Sequence, residues 1–137
     1  QPLVATISRL EASLSRLLTV EPPMYSIQQR RLQLAVDITR HSDALLESLL
    51  VQLLPGSDVV HAAGDFDVLA KSLYLWLQSH PSPRVDVTVP EVTRTMEAWR
   101  RLRNQINRLE RSNFPRAFEI AEQIEVELHL LHACLSE

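Results

Sequence analysis

The residues best able to do chemistry lie near the end of the chain: His129, His132 and Cys134. Imidazole and thiolate suit a soft metal, yet a closed structural zinc site takes four ligands at characteristic spacing. Residues three apart share a helix face, whereas Cys134 lies five beyond His129. His41, His61 and His80 belong to no motif that joins them to this group, so neither a metal nor a cofactor is expected. Cys134 reads as a small buried hydrophobe. Nucleophilic catalysis needs a Ser, Thr or Cys held against a base and its orienter, and no such arrangement or Gly-x-Ser-x-Gly elbow is present. Gly56 and Gly64 are the only glycines, which excludes the glycine-dependent phosphate loops of nucleotide enzymes. The expectation is a non-enzyme with no catalytic residue and no small-molecule substrate. An enzyme assembled from scattered carboxylates and histidines is the third-ranked reading.

The next distinctive residues are charged. Of 14 basic residues only Lys71 is a lysine, and the remainder are arginines, the better partner for planar, bidentate pairing. Arg94, Arg100, Arg101, Arg103, Arg108 and Arg111 dominate one stretch, and Glu119, Glu122, Glu125 and Glu127 the next. Complementary faces on adjacent helices would set their pairing and register. Nucleic acid is not expected as a partner: net charge is -3, Glu91, Glu97 and Glu110 interrupt the arginines, and no aromatic stacking platform accompanies them.

Leucine patterns suggest protein contact. Leu14-Ser-Arg-Leu17-Leu18, Leu46-Glu-Ser-Leu49-Leu50 and Leu50-Val-Gln-Leu53-Leu54 match short helices that dock into receptor grooves, and the same leucines also suit a helix core. Val60-His61-Ala62-Ala63-Gly64-Asp65-Phe66 resembles the Gly-Asp-centred helical motif of the Bcl-2 family of death regulators, and the resemblance implies a helical regulator. Asn-Trp-Gly-Arg is absent, and Gly64-Asp65 also has the simpler reading of turn and helix cap. Met96 to Ile106, with Trp99 at its centre, is similar to spectrin-type helices in which a tryptophan anchors a bundle.

The elements that must position these residues are marked by eight prolines, at Pro2, Pro22, Pro23, Pro55, Pro81, Pro83, Pro90 and Pro115. Each falls between apolar-periodic stretches, where a residue that breaks helix interiors but suits a first turn belongs. Leu3, Ile7, Leu10, Leu14 and Leu17 form one helical stripe. A second, longest helix is capped by Ser26, carries Ile27, Leu34, Ile38, Leu45, Leu49 and Leu53, and ends before Pro55. Its second half is apolar on nearly every side, which implies several neighbours or a docked partner. Asp65 caps a third helix bearing Phe66, Leu69, Leu73 and Trp76. A short β-hairpin across residues 73–89 competes with helix plus extended linker there, because Val85, Val87 and Val89 alternate. A fourth helix starts at Pro90 with Val92, Met96, Trp99, Leu102, Ile106 and Leu109 in register. The fifth aligns Ala117, Ile120, Ile124, Leu128, Leu131 and Leu135.

The sequence therefore predicts an all-α, antiparallel up-and-down bundle of four or five helices, a single domain over residues 1–137. The opening Gln1-Pro2-Leu3 points to an excerpt of a larger protein. A lone cysteine and no apolar run of about 20 residues suggest an intracellular, cytoplasmic protein with no membrane partner. The expected function is a non-enzymatic interaction or scaffolding domain. It would bind another protein or its own copy through an apolar face, with Leu46, Leu50, Leu54, Arg100, Arg101 and Arg108 as candidate contacts. A four-helix cytokine-type ligand is the alternative, favoured by long connections and opposed by the missing disulfides.

Overall fold

Among the described residues, three of the four helices begin on a proline: α1 spans Pro23–Leu50, α2 Asp58–Ser79, α3 Pro90–Asn107 and α4 Pro115–Ser136, with a 3-10 turn at Arg111–Asn113 before α4. The proline ring presets the helical φ and lacks only an N–H that would have no intrahelical acceptor. This computed structural model describes Arg9 and residues 23–137, with backbone alone for residues 23–26. Apart from Arg9, the predicted first helix and its Leu14–Leu18 motif lie outside the described residues.

Each helix turns one stripe inward at alternating four-three spacing. On α1 it is Arg31, Ala35, Ile38, Ser42, Leu45 and Leu49; on α2, Val59, Ala63, Phe66, Ala70, Leu73 and Leu77. Val92, Thr95, Trp99, Leu102 and Ile106 serve α3, and every predicted position of the last helix is buried on α4. Together they form one core. Each fully buried Leu, Ile or Phe contributes about 1.5–3 kcal/mol.

Side-chain bonds show that neighbouring helices run antiparallel. Ser42 reaches Asp67 and Gln28 reaches the Leu77 carbonyl between α1 and α2. Thr95 Oγ1 meets the Leu69 carbonyl between α2 and α3, and His41 and Arg31 meet Glu127 and the Cys134 carbonyl between α1 and α4. The packing is extensive along α1–α2, α1–α4 and α2–α3, and sparse between α3 and α4. Trp99 and Phe118 fill that last seam.

Several boundaries differ from expectation. Ser26 lies inside α1, which starts three residues earlier, at the proline. At its other end α1 stops at Leu50 rather than before Pro55: that proline has no N–H for the Val51 carbonyl and its ring would clash with it, and a turn closes from Ser57 N–H to the Leu54 carbonyl. Leu53 lies beyond the helix, but its N–H still bonds to the Leu49 carbonyl and its side chain packs on the core. Asp65 is not a cap, because α2 begins at Asp58 behind Ser57 and runs through Gly64 and Asp65. The hairpin is absent among the described residues. α2 continues to Ser79, and the valine segment is a linker whose Val85 is buried while Asp86 Oδ1 accepts from the Thr88 N–H.

Candidate functional site

The end of the bundle where α1 finishes and α4 begins has the densest exposed apolar surface. Leu50, Val51 and Leu54 are 42%, 79% and 79% exposed, three of the seven large apolar side chains that protrude among the described residues. They lie within five positions where α1 ends; of this stretch Leu53 packs on the core, while Leu50, Val51 and Leu54 stay outside it. Beside them opens a cleft of about 270 Å³ lined by Ala44, Glu47, Ser48 and Val51 of the α1 side and by Phe114, Pro115 and Arg116 of the α4 side. Glu47 and Arg116 are exposed and form no ion pair with each other or with any described residue. A surface of this kind excludes water from an apolar centre and fixes orientation at a charged rim.

A second apolar surface follows the α2–α3 seam, where Val68 and Leu75 are more than half exposed. Its two clefts are lined by Leu69 and Trp76 together with Asp65, Glu91, Arg94, Glu97 and Arg101. Here opposite charges alternate along the walls, so the rim has no dominant sign.

The candidate contacts divide between these places. Leu50 and Leu54 protrude at the bundle end, whereas Leu46 is half-buried and packs on the core. Arg101 lines the α2–α3 seam, and Arg100 and Arg108 are exposed elsewhere on α3 and its C-cap. The leucines and arginines therefore do not form one surface. Nor do the arginines zip α3 to the glutamates of α4, as the charge pattern predicts. Among the described residues Arg111–Glu122, at 2.6 Å and fully on the surface, is the one such pair. Glu125 instead accepts a hydrogen bond from the Trp99 indole, and Glu127 faces α1. α3 and α4 approach each other at few places, and the Trp99 indole bridges them by its bond to Glu125.

The titratable groups are dispersed. His129 and His132 are exposed and Cys134 is buried, so they do not converge. His80 stacks on Trp76 with ring centroids 4.4 Å apart. His41 Nδ1 lies 2.7 Å from the buried Glu127 carboxylate, whose pKa is raised by burial despite the hydrogen bond with His41. A half-exposed imidazole oriented by a carboxylate has the form of a general base. Its cleft, lined by His41, Ala44, Arg116, Glu119, Ile120 and Gln123, contains no hydroxyl or thiol to activate.

Sequence reasoning missed the buried polar side chains. Arg31, Ser42, Asp67, Thr95 and Glu127 are all below 9% exposed. Asp67 accepts from Ser42 at 2.6 Å and from Lys71 at 2.8 Å. Burial pushes its carboxyl up, but these bonds outweigh that effect and hold it below the usual range. Lys71, shared with Asp43, is pushed up to about 12 by the two carboxylates. The available signal was register, since Arg31 and Ser42 fall on the stripe through Ile38, Leu45 and Leu49.

No family model matches this chain, and no curated protein or solved structure matches it significantly.

Proposed function

We propose that this chain is a non-enzymatic protein-interaction domain that docks through the apolar bundle end formed by Leu50, Val51 and Leu54. The observation that supports the reading is their clustering: three protruding apolar side chains within five residues, beside an open cleft between two helices. Isolated exposed leucines are ordinary on protein surfaces, whereas several protruding apolar side chains at one end of a fold, one of them lining a concavity, mark a candidate binding site. Such a domain belongs in a reducing, intracellular setting, in keeping with a single cysteine that has no partner in its own chain.

Photocrosslinking tests the reading. A benzoylphenylalanine introduced in place of Val51 is expected to capture a protein, be it a copy of this chain or another, while the same probe at exposed Arg40 captures none. Equal capture at both positions, or none at Val51, overturns it.

A further inference from the structure

The bundle end has the composition of a surface that meets its own copy. Glu47 on α1 and Arg116 on α4 flank the cleft from opposite walls, with Val51 between them on the α1 side. Both charges are exposed and without an ion-pair partner among the described residues. A two-fold interface is isologous: residue i of one protomer meets j of the other, and j meets i. A patch with one acid and one base about an apolar centre is self-complementary under that operation, because each charge finds one opposite charge and the pair forms twice. A polyanion would need a cluster of bases where there is one arginine. A membrane surface would favour basic flanks where Glu47 stands.

Resting on the reading above, we propose that the occupant of this face is a second copy of the chain. Val51 and Leu54 meet their counterparts at the centre, and Glu47 of each protomer pairs with the partner's Arg116.

Sedimentation velocity across a concentration series tests this. The wild-type chain is expected to dimerise, and Leu54→Glu to yield a monomer with an unchanged circular dichroism spectrum, since Leu54 is an exposed loop residue. Glu47→Arg sets two like-charged pairs across the interface, as does Arg116→Glu, and each is expected to weaken the dimer about tenfold or more. An equimolar mixture of the two variants restores opposite charges at both pairs. At one, the introduced arginine faces the introduced glutamate; at the other, the native Glu47 of one variant faces the native Arg116 of the other. The mixture is expected to recover dimerisation as a heterodimer, which an intrachain pair would not allow. A wild-type monomer at all concentrations, a dimer indifferent to Leu54→Glu, or a mixture that stays monomeric overturns the proposal. A monomer whose Val51 probe still captures a different protein overturns the dimer alone; a monomer with no Val51-specific capture overturns the interaction reading as well.

Discussion

Arg31 on α1 donates from Nη2 to the main-chain carbonyl of Cys134 in the last turn of α4, at 2.7 Å and 103 residues away in sequence. The same guanidinium reaches the carbonyls of Ser82 and Pro83, at 3.3 and 3.2 Å, in the linker between α2 and α3. It is 1% exposed and has no carboxylate partner among the described residues. Desolvation accordingly pulls its pKa down, with Cys134 and Glu137 opposing that effect. One side chain thus ties the end of α4 and the linker before α3 to α1 by satisfying carbonyls that no helix ladder reaches.

Replacing Arg31 by alanine removes three hydrogen bonds to carbonyls and leaves space behind them. The expected loss is about 3 kcal/mol in urea melts. Arg31→Lys should recover only part of it, because a point ammonium lacks the planar fork that spans two elements. A loss below about 0.5 kcal/mol for the alanine variant would show that the guanidinium only occupies the site.

Trp99 is 4% exposed, lies 5.0 Å from Phe66 between ring centroids, and donates its indole N–H to Glu125 across the α3–α4 seam. Trp99→Ala should cost about 3–5 kcal/mol through the cavity alone. Trp99→Phe keeps most of the packing and loses the donor, so about 1–2 kcal/mol is expected. Comparable losses for the two variants would contradict this division between packing and hydrogen bonding.

Gly64 occupies the interior of α2, and a Cβ built there meets nothing within 4 Å. Gly64→Ala removes backbone freedom from the unfolded chain without a clash, so stability should rise by about 0.5–1 kcal/mol. A decrease in melting temperature would mean that the helix needs the gap at this position.

Burial raises Glu127 above the 4.5 of a free glutamate, more than the bond to His41 lowers it. The folded chain therefore holds this proton more tightly than the unfolded chain. The stability linked to it is fully present below pH 4.5 and is lost as pH rises through the raised folded value. In urea melts at a series of pH values, the stability of wild type minus that of Glu127→Gln should fall across that window, because the amide removes the titration. A difference that grows with pH would reverse the assignment and make the ion pair with His41 dominant.

The helices were legible because their apolar periodicity and proline punctuation are local: Ala117, Ile120, Ile124, Leu128, Leu131 and Leu135 are spaced for one face wherever that helix is placed. Pro90 and Pro115 begin helices for a reason contained in their own rings. The leucines at the bundle end were legible too, as an excess of apolar residues over what one helix face can bury. Which of them protrude depends on where α1 ends and on which of its faces the core covers, so Leu46 turns inward and Leu54 stays out. Polar burial was not legible, since Arg31 in sequence is one arginine among many. It becomes structural only when the Cys134 and Ser82 carbonyls arrive beside it from distant parts of the chain. The charges show the same limit: the arginines and glutamates suggested a zipper between α3 and α4, and the spacing of those two backbones, held by Trp99 and Phe118, decided otherwise. Periodicity states which residues share a face; only packing supplies the neighbour, and with it the distance, the dielectric and the hydrogen-bond partner that give a polar side chain its role.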